Sequence, residues 1–158
     1  LCNELGMVVD LSHLNEKGFW DVAALSTAPL VASHSSAHAL CASPRNLTDD
    51  QLKAVGESGG IGGVNFGRGF LRKDGLGEKE TPLDEIARHV EHIAETIGVE
   101  HVGLGSDFDG TVIPQDLAHV AGLPRLLDAI RARGIKGRDL EQVAHGNWLR
   151  VLKSTWKK

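Results

Sequence analysis

Apolar and polar positions fall in blocks along this chain, short apolar runs followed by longer stretches with helical spacing. Met7-Val8-Val9-Asp10 is a run suited to a buried strand. Asn15 to Leu25 then carries Phe19, Val22, Ala23 and Leu25 on or near one helical face. Pro29-Leu30-Val31-Ala32 predicts a second strand. Thr48 ahead of Asp49 and Asp50 predicts a helix start, with the hydroxyl as N-cap and the acids near the positive end of the helix dipole. That helix ends near Glu57, before Gly59-Gly60. Ile61 to Phe66 predicts a third strand, and Gly67 to Glu80 a polar, glycine-rich loop. Pro82 suits a first helical turn, and Leu83, Ile86, Val90, Ile93 and Ile97 repeat at helical spacing behind it. His101 to Gly105 predicts a fourth strand, with helices at about Gln115 to Arg133 and Arg138 to Trp156 completing the pattern.

Strand followed by helix, four times over, implies parallel strands joined by right-handed crossovers. Four such units make either a small open α/β sheet or half of an eight-unit barrel. Leu1 to Leu5 reads as the last turn of a helix stopped by Gly6. With no Met at position 1, the expectation is a single partial domain, residues 1–158, that begins inside a larger protein; this favours the half barrel.

Composition narrows the classes. Of 158 residues, 41% are hydrophobic and the formal net charge is -4, which excludes a disordered chain. The acidic balance argues against nucleic acid as partner, and no window reaches the ~18 to 20 continuous apolar residues of a membrane span. The first residues lack a basic region and a cleavage site, and Cys2 and Cys41 form no CxxC pair. The expected location is the cytoplasm.

Eight histidines matter more, because imidazole is the commonest metal ligand. Parallel α/β folds place chemistry at the carboxyl ends of their strands. The first strand here ends in Asp10-Leu11-Ser12-His13, the second in Ser33-His34-Ser35-Ser36, the fourth in Ser106-Asp107-Phe108-Asp109-Gly110. Neighbouring strands lie ~4.8 Å apart, so His13 and His34 can converge on one metal ion. Two ligands are too few for catalytic zinc, which leaves Asp10, Asp107 or a residue outside the chain to supply the rest. Arg45, in the loop beyond His34, suits two-pronged capture of a substrate carboxylate. His89 and His92 lie three apart on a helix and are expected at the surface. His38, His101, His119 and His145 lack a partner at a telling spacing, while Trp20, Trp148 and Trp156 are expected to pack. Asp107-Phe108-Asp109-Gly110-Thr111 matches the signature of haloacid-dehalogenase-type phosphatases. In that family the motif follows the first strand, with further catalytic motifs after it, whereas here it follows the last.

Taken together, Val9 to His13, Val31 to Ser36, Cys41 to Leu47, Gly63 to Phe66, Val102 to Gly110 and Gly146 to Val151 resemble, in order, the renal (membrane) dipeptidase family of zinc peptidases. The resemblance implies the C-terminal half, strands five to eight, of a distorted (β/α)8 TIM-like barrel. It also implies a dipeptide substrate and two zinc ions, bridged by a carboxylate and a hydroxide, in the complete enzyme. His13 and His34 match the two ligands of the second zinc, Arg45 the arginine that binds the dipeptide's free carboxylate, and Asp107 the aspartate near the scissile bond. The family's other metal ligands belong to an N-terminal half that is not in this sequence. A half barrel exposes sheet edges, so association with that half or with a second copy is expected. The alternative is a non-catalytic half-barrel module for binding or assembly.

Overall fold

A computed structural model describes residues 1–156 of the chain. Its helices are α1 (Cys2–Leu5), α2 (Glu16–Leu25), α3 (Asp49–Glu57), α4 (Leu83–Ile97), α5 (Leu123–Ala132), α6 (Arg138–Glu141) and α7 (Asn147–Thr155). Between them run the strands β1 (Val31–Ala32), β2 (Ile61–Asn65) and β3 (Val102–Ser106), all parallel, in the spatial order β1-β2-β3. The architecture is therefore α/β with a parallel sheet.

The first expected strand shrinks to one bridge, Asp10 to Val31, also parallel. Its only rungs lie at the Asp10 end, where Leu11 N–H donates to the Val31 carbonyl at 2.8 Å. Among the described residues Met7 to Val9 have no ladder partner, and Met7 stays 53% exposed. The bridge still extends the sheet in chain order, Asp10 beside β1, β1 beside β2, β2 beside β3.

The expected helix starts hold where a side chain caps them. Asn15 accepts from Gly18 N–H at the head of α2, and Thr48 and Gln51 form a reciprocal capping box at the head of α3. The helix expected from Gln115 begins only at Leu123, with Pro124 in its first turn and a 3-10 turn at Val120–Gly122 before it. Gly122 lies so close to the Leu117 carbonyl that a Cβ would come within 2.0 Å of that oxygen, so the chain folds back there before a helix can form. The last expected helix is interrupted by a π turn at Gln142–Gly146.

The core joins the inner faces of α3, α4 and α5 to the sheet, through Leu52, Val55, Ile86, Val90, Ile93, Val64, Phe66, Val102, Leu126 and Ile130. His89 belongs to it. The expectation of a surface residue fails: His89 is 0% exposed, one helical turn from Ile86 and from Ile93 on the buried face of α4. His92 is half-buried, and its Nε2 lies 3.0 Å from Asp49 Oδ1. Of the three tryptophans Trp148 packs and donates to the Leu104 carbonyl, while Trp20 and Trp156 are 39% and 61% exposed. At the opposite end of the sheet from the histidines, α7 braces the strand starts. Asn147 Nδ2 donates to the Val99 and Val102 carbonyls, and Arg150 donates to those of Gly59, Gly60 and Glu100.

Among the described residues no helix is long and apolar enough to cross a membrane.

Candidate functional site

The site grows from the ends of two adjacent strand segments. His13 follows the Asp10 bridge and takes a left-handed backbone, φ 73°, which turns its side chain back towards the neighbouring segment. His34 follows β1. Two serines lock the segments together: Ser12 Oγ accepts from His34 N–H at 2.9 Å, and the Ser12 and Ser35 hydroxyls lie 3.0 Å apart. The result is that His13 Nε2 and His34 Nε2 approach to 2.9 Å, with the rings edge to face.

Asp10 supports this pair without joining it. Its Oδ1 accepts from the N–H groups of Ser12 (3.0 Å) and Ser33 (2.9 Å), and its Oδ2 accepts from the Ser33 hydroxyl at 2.5 Å. Burial pushes the Asp10 carboxyl up, but these hydrogen bonds, led by the Ser33 side chain, outweigh it and hold it below its usual value. The Ser33 oxygen also lies 2.6 Å from His34 Nδ1. A hydroxyl has one proton, and an ionised carboxylate can only accept. Ser33 therefore donates to Asp10 and accepts from His34 Nδ1–H, which leaves the Nε2 lone pair of His34 bare and facing His13. Metal-binding histidines are oriented in this way, through the nitrogen that does not touch the metal.

The two imidazoles thus fit a metal in donor chemistry and in orientation. Among the described residues no group of three or more His, Cys, Asp or Glu side chains converges, so Asp10 is an anchor and not a third ligand here, and Asp107 does not join the pair.

Arg45 shares a cavity of about 270 Å³ with His13, Leu14, Phe19, His38 and Gln51. Its guanidinium lies 5.4 Å over the Phe70 ring, and its Nε and Nη2 are buried with no hydrogen-bond partner among the described residues. Those two nitrogens form one edge of the guanidinium fork, the edge that grips a carboxylate with two parallel bonds. Asn46 fixes the loop: its Nδ2 donates to the Cys41 and Phe70 carbonyls, and its Oδ1 accepts from Ser36 N–H.

Asp107 lies past the end of β3 and does not line that cavity. Its Oδ2 accepts from Asn65 Nδ2 at 2.9 Å, and Asn65 Nδ2 is also 3.4 Å from the His34 carbonyl. Asp109 is exposed. Sequence reasoning missed Ser33 and assigned Asn65 no role. The position of Ser33 directly before a strand-end histidine was the available signal for the first. The second had no local signal, because its partner is 42 positions away.

Residues 1–157 match the family model described as membrane dipeptidase (peptidase family M19). An uncharacterized Klebsiella pneumoniae protein, encoded in the region 5' of pqqA, is 54% identical over 98% of this chain and 57% of its own length. Two solved structures superpose with a TM-score of 0.95. One is a family dipeptidase, 51% identical over 98% of this chain and 46% of that one. The other is a Rhodobacter sphaeroides metallopeptidase bound to a phosphinate mimic of the dipeptide L-Ala-D-Ala, 52% identical over 98% of this chain and 44% of that one. The chain spans about half the length of these relatives.

Proposed function

The chain belongs to the membrane dipeptidase family, and on that premise we propose that it forms strands five to eight of a (β/α)8 barrel and carries half of the active site of a zinc-dependent dipeptidase. The observation that carries this reading is the convergence of His13 Nε2 and His34 Nε2, 2.9 Å apart, at the carboxyl ends of neighbouring strand segments. The coverage of 44% and 46% of two solved relatives supports the half barrel. Family membership also sets aside a phosphoryl-transfer role for Asp107.

His13 and His34 hold zinc, and Ser33, anchored by Asp10, keeps the His34 ring in the ligating tautomer. When bound, zinc supplies a nucleophile at neutral pH by acidifying water and polarises the scissile carbonyl. Arg45 takes the free carboxylate of a dipeptide on its unpaired edge, so substrates end one residue beyond the scissile bond. Leaving that edge unpaired in a buried site is costly unless a ligand anion fills it. Asp107 holds the proton or the amino group at the other end of the substrate. The remaining metal ligands come from the half of the barrel outside these residues, which is also the partner expected at the open sheet edges.

The test is hydrolysis of Ala-Ala dipeptides, L,D and L,L, with and without zinc, beside the His34→Ala variant. Zinc-dependent turnover lost in His34→Ala supports the reading. Turnover that persists without metal, or survives His34→Ala, overturns it. A folded chain that binds zinc through both histidines yet turns nothing over places the remaining ligands in the other barrel half.

A further inference from the structure

A second buried polar device sits one strand over from the histidine pair. The β2–β3 ladder pairs Gly62 with Val102, Gly63 with Gly103 and Val64 with Leu104, then slips, so that Asn65 faces Ser106. A bulge of this kind re-aims the side chain beside it. The re-aimed residue is Asn65, 1% exposed, and both ends of its amide are used. Oδ1 accepts from Gly67 N–H at 2.6 Å, while Nδ2 donates to Asp107 Oδ2 at 2.9 Å and lies 3.4 Å from the His34 carbonyl. The partners settle the amide's orientation, since an N–H only donates and a carbonyl or carboxylate only accepts.

Asp107 is held by its own backbone and by Asn65, in a space that Gly110 leaves open. Its backbone and that of Ser106 are left-handed, φ 68° and 51°, a conformation that persists in non-glycine residues only where the surroundings enforce it. Gly110 leaves room on the far side of the carboxylate, since a Cβ there would come within 2.1 Å of Asp107 Oδ1. The remaining oxygen takes the Asn65 amide.

We propose that Asn65 is the positioning residue for Asp107, holding its carboxylate in one orientation at the strand end that also carries His34. The inference rests on the role of Asp107 in dipeptide hydrolysis proposed above. A carboxylate that must meet a proton or an ammonium group at a fixed point loses rate when its orientation is lost, even though substrate binding elsewhere is intact.

The experiment uses the zinc-loaded protein with Asn65→Asp, which keeps size and the acceptor for Gly67 but loses the donor, and Asn65→Ser, which adds no charge. The expected result is a kcat lowered ~10- to 100-fold with KM within about twofold, since the interaction serves the reaction more than binding. Combined with Asp107→Asn, either change adds nothing further, because the two residues act as one unit. Wild-type kcat in a folded Asn65→Ser protein, or losses that multiply in the double variant, overturns the proposal. A crystal structure of Asn65→Ser gives a readout independent of turnover: the Asp107 carboxylate is expected to rotate away, and an unmoved carboxylate overturns the proposal. A wild-type protein that neither binds zinc through His13 and His34 nor hydrolyses dipeptides would defeat the dipeptidase reading alone, because the carboxylate's position still decides the role of Asn65.

Discussion

Through the Ser33 hydroxyl, Asp10 sets which nitrogen of His34 carries the proton. The hydroxyl lies 2.5 Å from Asp10 Oδ2 and 2.6 Å from His34 Nδ1. Because that hydroxyl's single proton goes to the carboxylate, Nδ1 must donate and Nε2 is left as the ligating nitrogen.

Ser33→Ala is therefore expected to weaken zinc binding ~10- to 100-fold, the usual cost of losing a group that orients a ligand. Ser33→Thr, which keeps the hydroxyl, is expected to stay near wild type. Competition against a chelator of known affinity reads the difference; equal affinities in Ser33→Ala and wild type would remove Ser33 from the metal site.

Arg45→Ala is expected to raise KM and to lower kcat, since the grip on the substrate carboxylate also places the scissile bond. Arg45→Lys is expected to recover little, because a point charge does not reproduce a two-pronged edge. Comparing a dipeptide with its C-terminal amide checks this. Wild type should prefer the free acid strongly, and Arg45→Ala should show no preference.

His89 makes stability pH-dependent. Its Nδ1 accepts from Ala37 N–H at 3.0 Å and its Nε2 lies 2.9 Å from the Leu71 carbonyl, so it is neutral with the proton on Nε2. Burial, opposed by the Leu71 hydrogen bond, pushes its pKa down to about 4 from 6.5. The unfolded chain thus binds more protons than the folded one between these values. The contribution is present above pH 6.5 and is lost as pH falls towards 4, by about 3 kcal/mol across the window. Urea unfolding at pH 7 and pH 5 should show about 2 kcal/mol of this loss in wild type and less in His89→Gln. Equal losses in the two proteins would count against His89 as the source.

Gly63 marks a close approach between two strand segments. A Cβ there would come within 2.1 Å of the Ser33 carbonyl oxygen, so Gly63→Ala is expected to cost at least ~2 kcal/mol and to loosen zinc binding by displacing Ser33. Gly75, at φ 66° with open space around it, is the control; its alanine variant should cost only ~1 kcal/mol of backbone strain. Denaturation midpoints rank the two, and a Gly63→Ala protein no less stable than Gly75→Ala would refute the close approach.

The alternation of elements, the capping of α3 by Thr48, and the three strand-end motifs could be read from the chain, because each depends on residues within a turn or two of one another. So could the pairing of His13 with His34, since parallel neighbours bring successive strand ends together. The same periodicity placed His89 on the apolar face of α4, but the general preference of histidine for the surface outweighed it, and only the donor and acceptor waiting at Ala37 and Leu71 show why it is buried.

What the sequence determined by itself is the fold class, the family and the identity of the groups at the strand ends. These follow from local spacing and from the order of motifs. Tertiary structure alone decided how those groups are aimed. The Ser33 relay that sets a tautomer, the bulge that turns Asn65 onto Asp107, and the unpaired edge of Arg45 over Phe70 each depend on distances of a few tenths of an ångström between segments 23 to 42 positions apart. Spacing along a chain carries no such information, because hydrogen-bond direction is fixed only when the segments are packed.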